Sequence, residues 1–145
     1  MTDNDSKHPE RQWVAQGEPG FPPYIAPFSL GVRTGQMVFT AGQAAVDEKG
    51  NIVGIGDVAA QTQKTLENIG AILERLGASF RDVVKVTIWL SHFRDYAAMN
   101  EVYARFFPEP RPVRACVRAD LAFPELLVEI EATAIVGSGA DTATP

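Results

Sequence analysis

Across residues 126–136 the chain alternates with a period of two. Val128, Ile130, Ala132, Ala134 and Val136 fall on one side, and Leu127, Glu129, Glu131, Thr133 and Ile135 on the other. An extended strand sends successive side chains to opposite faces, so this run reads as a β-strand that buries one face and leaves the other mixed. Val83–Leu90 repeats the pattern, with Val84, Val86, Ile88 and Leu90 set against Val83, Lys85, Thr87 and Trp89. So do residues 112–120, where Val113, Ala115, Val117 and Ala119 oppose Arg114, Cys116, Arg118 and Asp120. Three such strands need a second layer to bury against.

That layer is helical. Ala59, Thr62, Leu66, Ile69, Leu73 and Leu76 recur in steps of three and four, which makes one apolar helix face. Asp57 is the expected N-cap and Gly77 the expected C-cap. A second helix is predicted over residues 95–107, with Tyr96, Met99, Tyr103 and Phe106 on one stripe and Pro108 and Pro110 ending it. Upstream, Met37–Thr40 reads as a strand. Residues 28–32 are its expected hairpin partner, with Arg33, Thr34 and Gly35 in the turn. Residues 17–27 hold four prolines and read as an extended loop. The order β-β-α-β-α-β-β predicts an α+β two-layer sandwich. One domain is expected over residues 13–136, with flexible tails at 1–12 and 137–145.

Composition enters by exclusion. A formal net charge of −5 disfavours a general electrostatic grip on nucleic acid or anionic lipid. A single cysteine, Cys116, excludes an intrachain disulfide and any zinc site built on several thiolates. The two histidines, His8 and His92, cannot form an HExxH site. Gly54 and Gly56 lack the third glycine of a dinucleotide fingerprint, and no phosphate-binding GxxxxGK[ST] loop occurs. The N-terminus reads as neither signal peptide nor membrane span, so a cytoplasmic protein is expected.

If the helices cover the apolar sheet face, the other face is expected to carry Arg114, Cys116, Glu129, Glu131 and Trp89. Trp89, Leu127 and Ile135 would then need cover from another subunit. Arg114 offers a planar fork of donors suited to a carboxylate. Its competing role is a salt bridge to Glu129 or Glu131. Glu129 is a candidate to orient or deprotonate water, against an ordinary solvated strand residue. Cys116 has no histidine placed in sequence to activate it, and small-residue packing is its simpler role.

Several runs resemble a known family. They are Ala26-Pro27-Phe28-Ser29, Thr40-Ala41-Gly42-Gln43, Asn100-Glu101-Val102-Tyr103-Ala104-Arg105-Phe106-Phe107, Pro112-Val113-Arg114-Ala115-Cys116-Val117 and Val128-Glu129-Ile130-Glu131-Ala132. In this order they resemble the Rid family of reactive intermediate deaminases (YjgF/YER057c/UK114), formerly labelled endoribonuclease L-PSP. The resemblance implies a chorismate-mutase-like fold, a mixed sheet with two helices on one face, and a homotrimer with a central barrel and clefts between subunits. It implies hydrolysis of reactive enamine and imine acids, such as 2-aminoacrylate or 2-iminopropanoate, to 2-keto acid and ammonia, without metal or cofactor. By the same resemblance Arg114 binds the substrate carboxylate, Glu129 positions the attacking water, and backbone groups around Cys116 hold the imine nitrogen. Phe28, Ala41 and Gly42 line the cleft. Phe28 stands where the family usually has tyrosine and Ala41 where it usually has serine, so two cleft hydroxyls are missing. Two other functions compete: a trimeric binder of small carboxylates that performs no chemistry, and an endoribonuclease or translation inhibitor, which the acidic charge disfavours.

Overall fold

A computed structural model describes residues 10–139. Its strands are β1 (Arg11–Val14), β2 (Gly31–Thr34), β3 (Met37–Thr40), β4 (Val83–Leu90), β5 (Val113–Arg118) and β6 (Val128–Ile135), and its helices α1 (Val58–Arg75) and α2 (Tyr96–Phe106). The sheet runs in the order β1-β2-β3-β6-β4-β5. β5 pairs with β4 in parallel, and every other pair is antiparallel. The α+β architecture and mixed sheet expected from sequence are therefore present. No helix among the described residues is long and apolar enough to cross a membrane.

Both helices pack on one sheet face. Val86, Ile88, Leu90, Val128, Ile130, Ala132 and Ala134 share a single core with Leu66, Ile69, Ile72 and Leu73 of α1 and with Met99 and Tyr103 of α2. The strict alternation of β6 holds throughout, with its apolar parity buried. Asp57 caps α1 as expected: its Oδ1 accepts from the Ala60 amide at 3.0 Å. At the other end Ala78 N donates to Leu73 O and Gly77 N to Glu74 O, while Gly77 takes φ +82°. That is a Schellman closure, and the left-handed conformation is why glycine is needed there.

Three expectations are corrected. β1 takes in Arg11 and Gln12, residues that polar composition alone places in the tail, because their backbones pair with Thr34 and Arg33 of β2. Residues 1–9 and 140–145 of the expected tails lie outside the described residues. Arg33 and Thr34 are strand residues, and the turn is Gly35–Gln36, since Thr34 pairs with Met37. In β4 a register shift lies between Val83 and Lys85, so Val83 is buried and Val84 exposed. The extra residue of a bulge flips the parity that strict alternation would give.

The uncovered face carries apolar surface. Trp13, Met37, Phe39, Val117 and Ile135 are between a third and a half exposed. Leu127 does not join them: it packs against the main core just before β6 begins.

Candidate active site in two halves

Registered partners on neighbouring strands project to the same side of a sheet. Ile88 lies between Cys116 of β5 and Ile130 of β6, and Val86 between Arg114 and Ala132. Ile88, Val86, Ile130 and Ala132 are core residues beneath the helices. Arg114 and Cys116 therefore project to the helix side. Trp89 lies between Val117 and Glu129, and Thr87 between Ala115 and Glu131. Glu129 and Glu131 therefore project to the open side. The expectation that all of them share one face is overturned. β5 is an edge strand, and its more polar parity turns toward the helix layer.

On the helix side, Arg114 meets α2. Its Nη2 donates to the Tyr96 hydroxyl at 3.1 Å. Its guanidinium carbon lies 4.8 Å from the Tyr103 ring centroid and 5.7 Å from that of Tyr96, within cation–π range. No ion pair joins Arg114 to a carboxylate among the described residues. The salt bridge to Glu129 or Glu131 does not form within the chain, because those carboxylates lie across the sheet. Cys116 sits half-buried against the core. Burial pushes its thiol pKa up, with the Arg114 charge pulling the other way. A thiol held protonated is a poor nucleophile.

On the open side, Glu129 lies under Gly42. A Cβ built on Gly42 would stand 2.9 Å from Glu129 Oε2 and 3.0 Å from its carboxyl carbon, so only glycine leaves the carboxylate its place. Burial, and secondarily the Glu131 charge, raises the Glu129 pKa. The segment that follows Gly42 is fixed by an isolated bridge of reciprocal backbone bonds between Gln43 and Ile130, at 2.8 and 3.0 Å. Tyr24 donates to Gln43 Oε1 at 3.2 Å and packs its ring 5.4 Å from that of Phe28. Burial pushes the Tyr24 hydroxyl up to about 12, with the Glu129 charge adding to the rise and a backbone hydrogen bond at Ala44 opposing it. Phe28 is 40% exposed and Ala41 is half-buried, its amide held by Leu30 O at 2.8 Å.

Apolar periodicity misses the residues that hold these loops. Gln61, fully buried on α1, donates to Glu125 O at 2.9 Å and accepts from Leu127 N at 2.8 Å, which fixes the entry to β6. Asn68, two turns along the same helix, donates to Ala44 O and Val46 O at 3.1 and 2.9 Å. Polar positions inside an otherwise apolar helix stripe were the only available signal, since buried amides persist where backbone groups need partners.

Residues 21–136 match the family model described as Endoribonuclease L-PSP. The chain belongs to the Rid family. A RutC family protein of Pyrococcus abyssi is 46% identical over 114 residues, covering 78% of this chain and 89% of that protein. A protein of Acinetobacter baylyi named 3-aminoacrylate deaminase RutC is 42% identical over 117 residues, 81% of this chain and 93% of its own. Among solved structures, a YjgF/YER057c/UK114 family member from Mycobacterium tuberculosis superposes with a TM-score of 0.75 at 34% identity, covering 88% of this chain and all of that one. In this Rid chain the motif arginine and the motif glutamate stand on opposite faces of one sheet.

Proposed function

We propose that this Rid protein hydrolyses reactive 2-enamine and 2-imine acids to 2-keto acids and ammonia, at sites shared between copies of the chain. The observation that carries the reading is an arginine on a half-exposed edge strand that has no carboxylate partner among the described residues. A charge so placed is available to an anion from outside the chain. β4 separates β5 from β6, so Arg114 and Glu129 are two strands apart, roughly 10 Å, and on opposite faces. A three-carbon acid cannot touch both in one chain. Packing the apolar open face of one copy near β5 of the next brings the two halves together in a homotrimer. The activity for which the Acinetobacter baylyi relative is named supports the reaction class.

In this reading the Arg114 fork takes the substrate carboxylate and fixes the plane of the C=N bond. The Gly42 and Cys116 backbones flank the imine nitrogen, and Phe28 and Ala41 close the cleft. Glu129 of the neighbouring copy orients a water. The water oxygen adds to the imine carbon, and its proton passes to the Glu129 carboxylate and from there to the nitrogen, which gives the carbinolamine. Collapse of the carbinolamine expels ammonia and leaves the 2-keto acid. An imine carbon is already electrophilic, so orientation and one base suffice. A second reading, 3-aminoacrylate as substrate, is favoured by the name of the same relative; it places the reacting carbon one atom farther from the carboxylate.

The test couples a PLP-dependent serine or threonine dehydratase to this protein and follows disappearance of the imine. Acceleration over the spontaneous rate is expected; an unchanged rate refutes the deaminase reading for 2-imino acids. Enzymatically generated 3-aminoacrylate in parallel decides between the two substrates.

Shared sites make a further expectation. Arg114→Ala and Glu129→Gln should each be nearly inactive alone. Mixed one to one with subunit exchange, they should recover about a quarter of the wild-type rate, because each site draws its two residues from different copies. No recovery in mixtures shown by mass spectrometry to contain both variants would rule out shared sites. Gly42→Ala should lower kcat by about 10- to 100-fold by turning the Glu129 carboxylate aside. Its melting temperature should stay within a few degrees of wild type, as the clash is with a movable side-chain end. Steady-state kinetics beside thermal denaturation reads both.

A further inference from the structure

An arginine used for recognition faces a conflict. Its long side chain must be held in one plane, yet the usual holder, a carboxylate, cancels the charge that recognition needs. Arg114 is held differently. One face of its guanidinium lies on the Tyr103 ring at 4.8 Å, the Tyr96 ring stands at 5.7 Å, and the Tyr96 hydroxyl accepts from Nη2 at 3.1 Å. The two rings come from one face of α2, seven residues or about two turns apart, so the helix presents them as a fixed pair. Tyr103 is 4% exposed and packed in the core, which makes it a rigid platform. Burial pushes its hydroxyl up to about 12, with the Arg114 and Arg111 charges opposing, so it stays neutral near pH 7 and does not offset the arginine. Tyr96, 40% exposed, stands at the rim.

We infer that Tyr96 is a positioning residue for Arg114. Its hydroxyl anchors one arm of the guanidinium, and with the Tyr103 ring it fixes the plane of the fork while leaving the positive charge free for an anionic ligand. The inference rests on the assignment of Arg114 to a carboxylate. Nη2 spends one hydrogen on Tyr96; its second hydrogen, paired with either Nε–H or an Nη1 hydrogen, leaves one bidentate edge suited to a planar carboxylate. Losing the anchor leaves the charge in place but lets the fork swing, so the effect falls on binding of charged ligands and not on turnover once bound.

The test uses the full-length protein and two variants, Tyr96→Phe, which removes only the hydroxyl, and Tyr96→Leu, which also removes the ring. The probes are pyruvate, the 2-keto acid product, and its neutral analogue pyruvamide, titrated by calorimetry and as inhibitors of imine hydrolysis. Pyruvate affinity is expected to fall about fivefold in Tyr96→Phe and about thirtyfold in Tyr96→Leu. KM for the imine should rise in step, with kcat within about threefold of wild type. Pyruvamide affinity should stay within about twofold, and the melting temperature should not move, as Tyr96 lies at the surface. Pyruvate binding in Tyr96→Leu that stays at the wild-type level, while Arg114→Ala loses it, overturns this inference and leaves the function standing. Equal losses for pyruvate and pyruvamide also overturn it, since they mark a general distortion. Wild-type pyruvate binding in Arg114→Ala itself removes the carboxylate assignment, and this inference with it.

Discussion

Arg114→Ala is expected to lower kcat/KM for a 2-imino acid by a few hundred- to a few thousand-fold, about 3–5 kcal/mol of transition-state stabilisation. The magnitude follows from leaving a substrate carboxylate in a partly dry cleft with no counter-charge. Arg114→Lys should recover little of it, because a single ammonium cannot reproduce two parallel donors and loses the stacking on Tyr103. The folded chain should barely notice either change. Arg114 makes one hydrogen bond and two ring contacts on an edge strand and closes no ion pair among the described residues. Steady-state kinetics, thermal denaturation and light scattering on the same samples separate these outcomes. A large loss of stability or of assembly, with normal kinetics in the surviving oligomer, would make Arg114 a structural residue.

Glu129→Gln is the second large effect. It keeps the shape and removes the base, so kcat should fall by about 10²- to 10⁴-fold with KM little changed. The wild-type pH profile carries the same signature. Burial and the Glu131 charge raise the Glu129 pKa, and in the proposed mechanism the ionised form activates the water. Activity should therefore climb as pH rises through that raised pKa and be lost as pH falls below it. Glu131→Gln removes a like charge, lowers the Glu129 pKa, and should move the acid limb to lower pH. A limb that does not move, or moves to higher pH, would mean that another group controls it. A Glu129→Gln enzyme of normal kcat would leave the attacking water without a protein base.

The elements were largely legible because their signals are local. The alternation of β6, the three-and-four spacing of α1 and the Asp57 and Gly77 caps each follow from backbone geometry acting on a short window. Motif order pointed to the family for a similar reason, since it needs only residue types in sequence. Gln61 and Asn68 were not legible as anchors. Their partners, the backbone at 125–127 and at 44–46, lie 22 to 66 residues away. The bulge after Val83 was equally hidden, because an inserted residue shows only against its partner strand.

By itself the sequence determined that Arg114 and Cys116 share one side of a strand, and that Glu129 and Glu131 share one side of another. Parity within a strand is a property of the chain. Only the tertiary structure decided that these two sides are opposite. The apolar side of β6, a central strand, has to be buried, and that sends Glu129 to the open face. β5 lies at the edge, where no such demand applies. Its backbone register with β4 sets Arg114 beside Val86 and Cys116 beside Ile88, so both turn toward the helix side of the sheet, and Val113, Ala115 and Val117 turn outward. Register is fixed by hydrogen bonds between residues distant in sequence, and side-chain pattern specifies it only where a face must be buried.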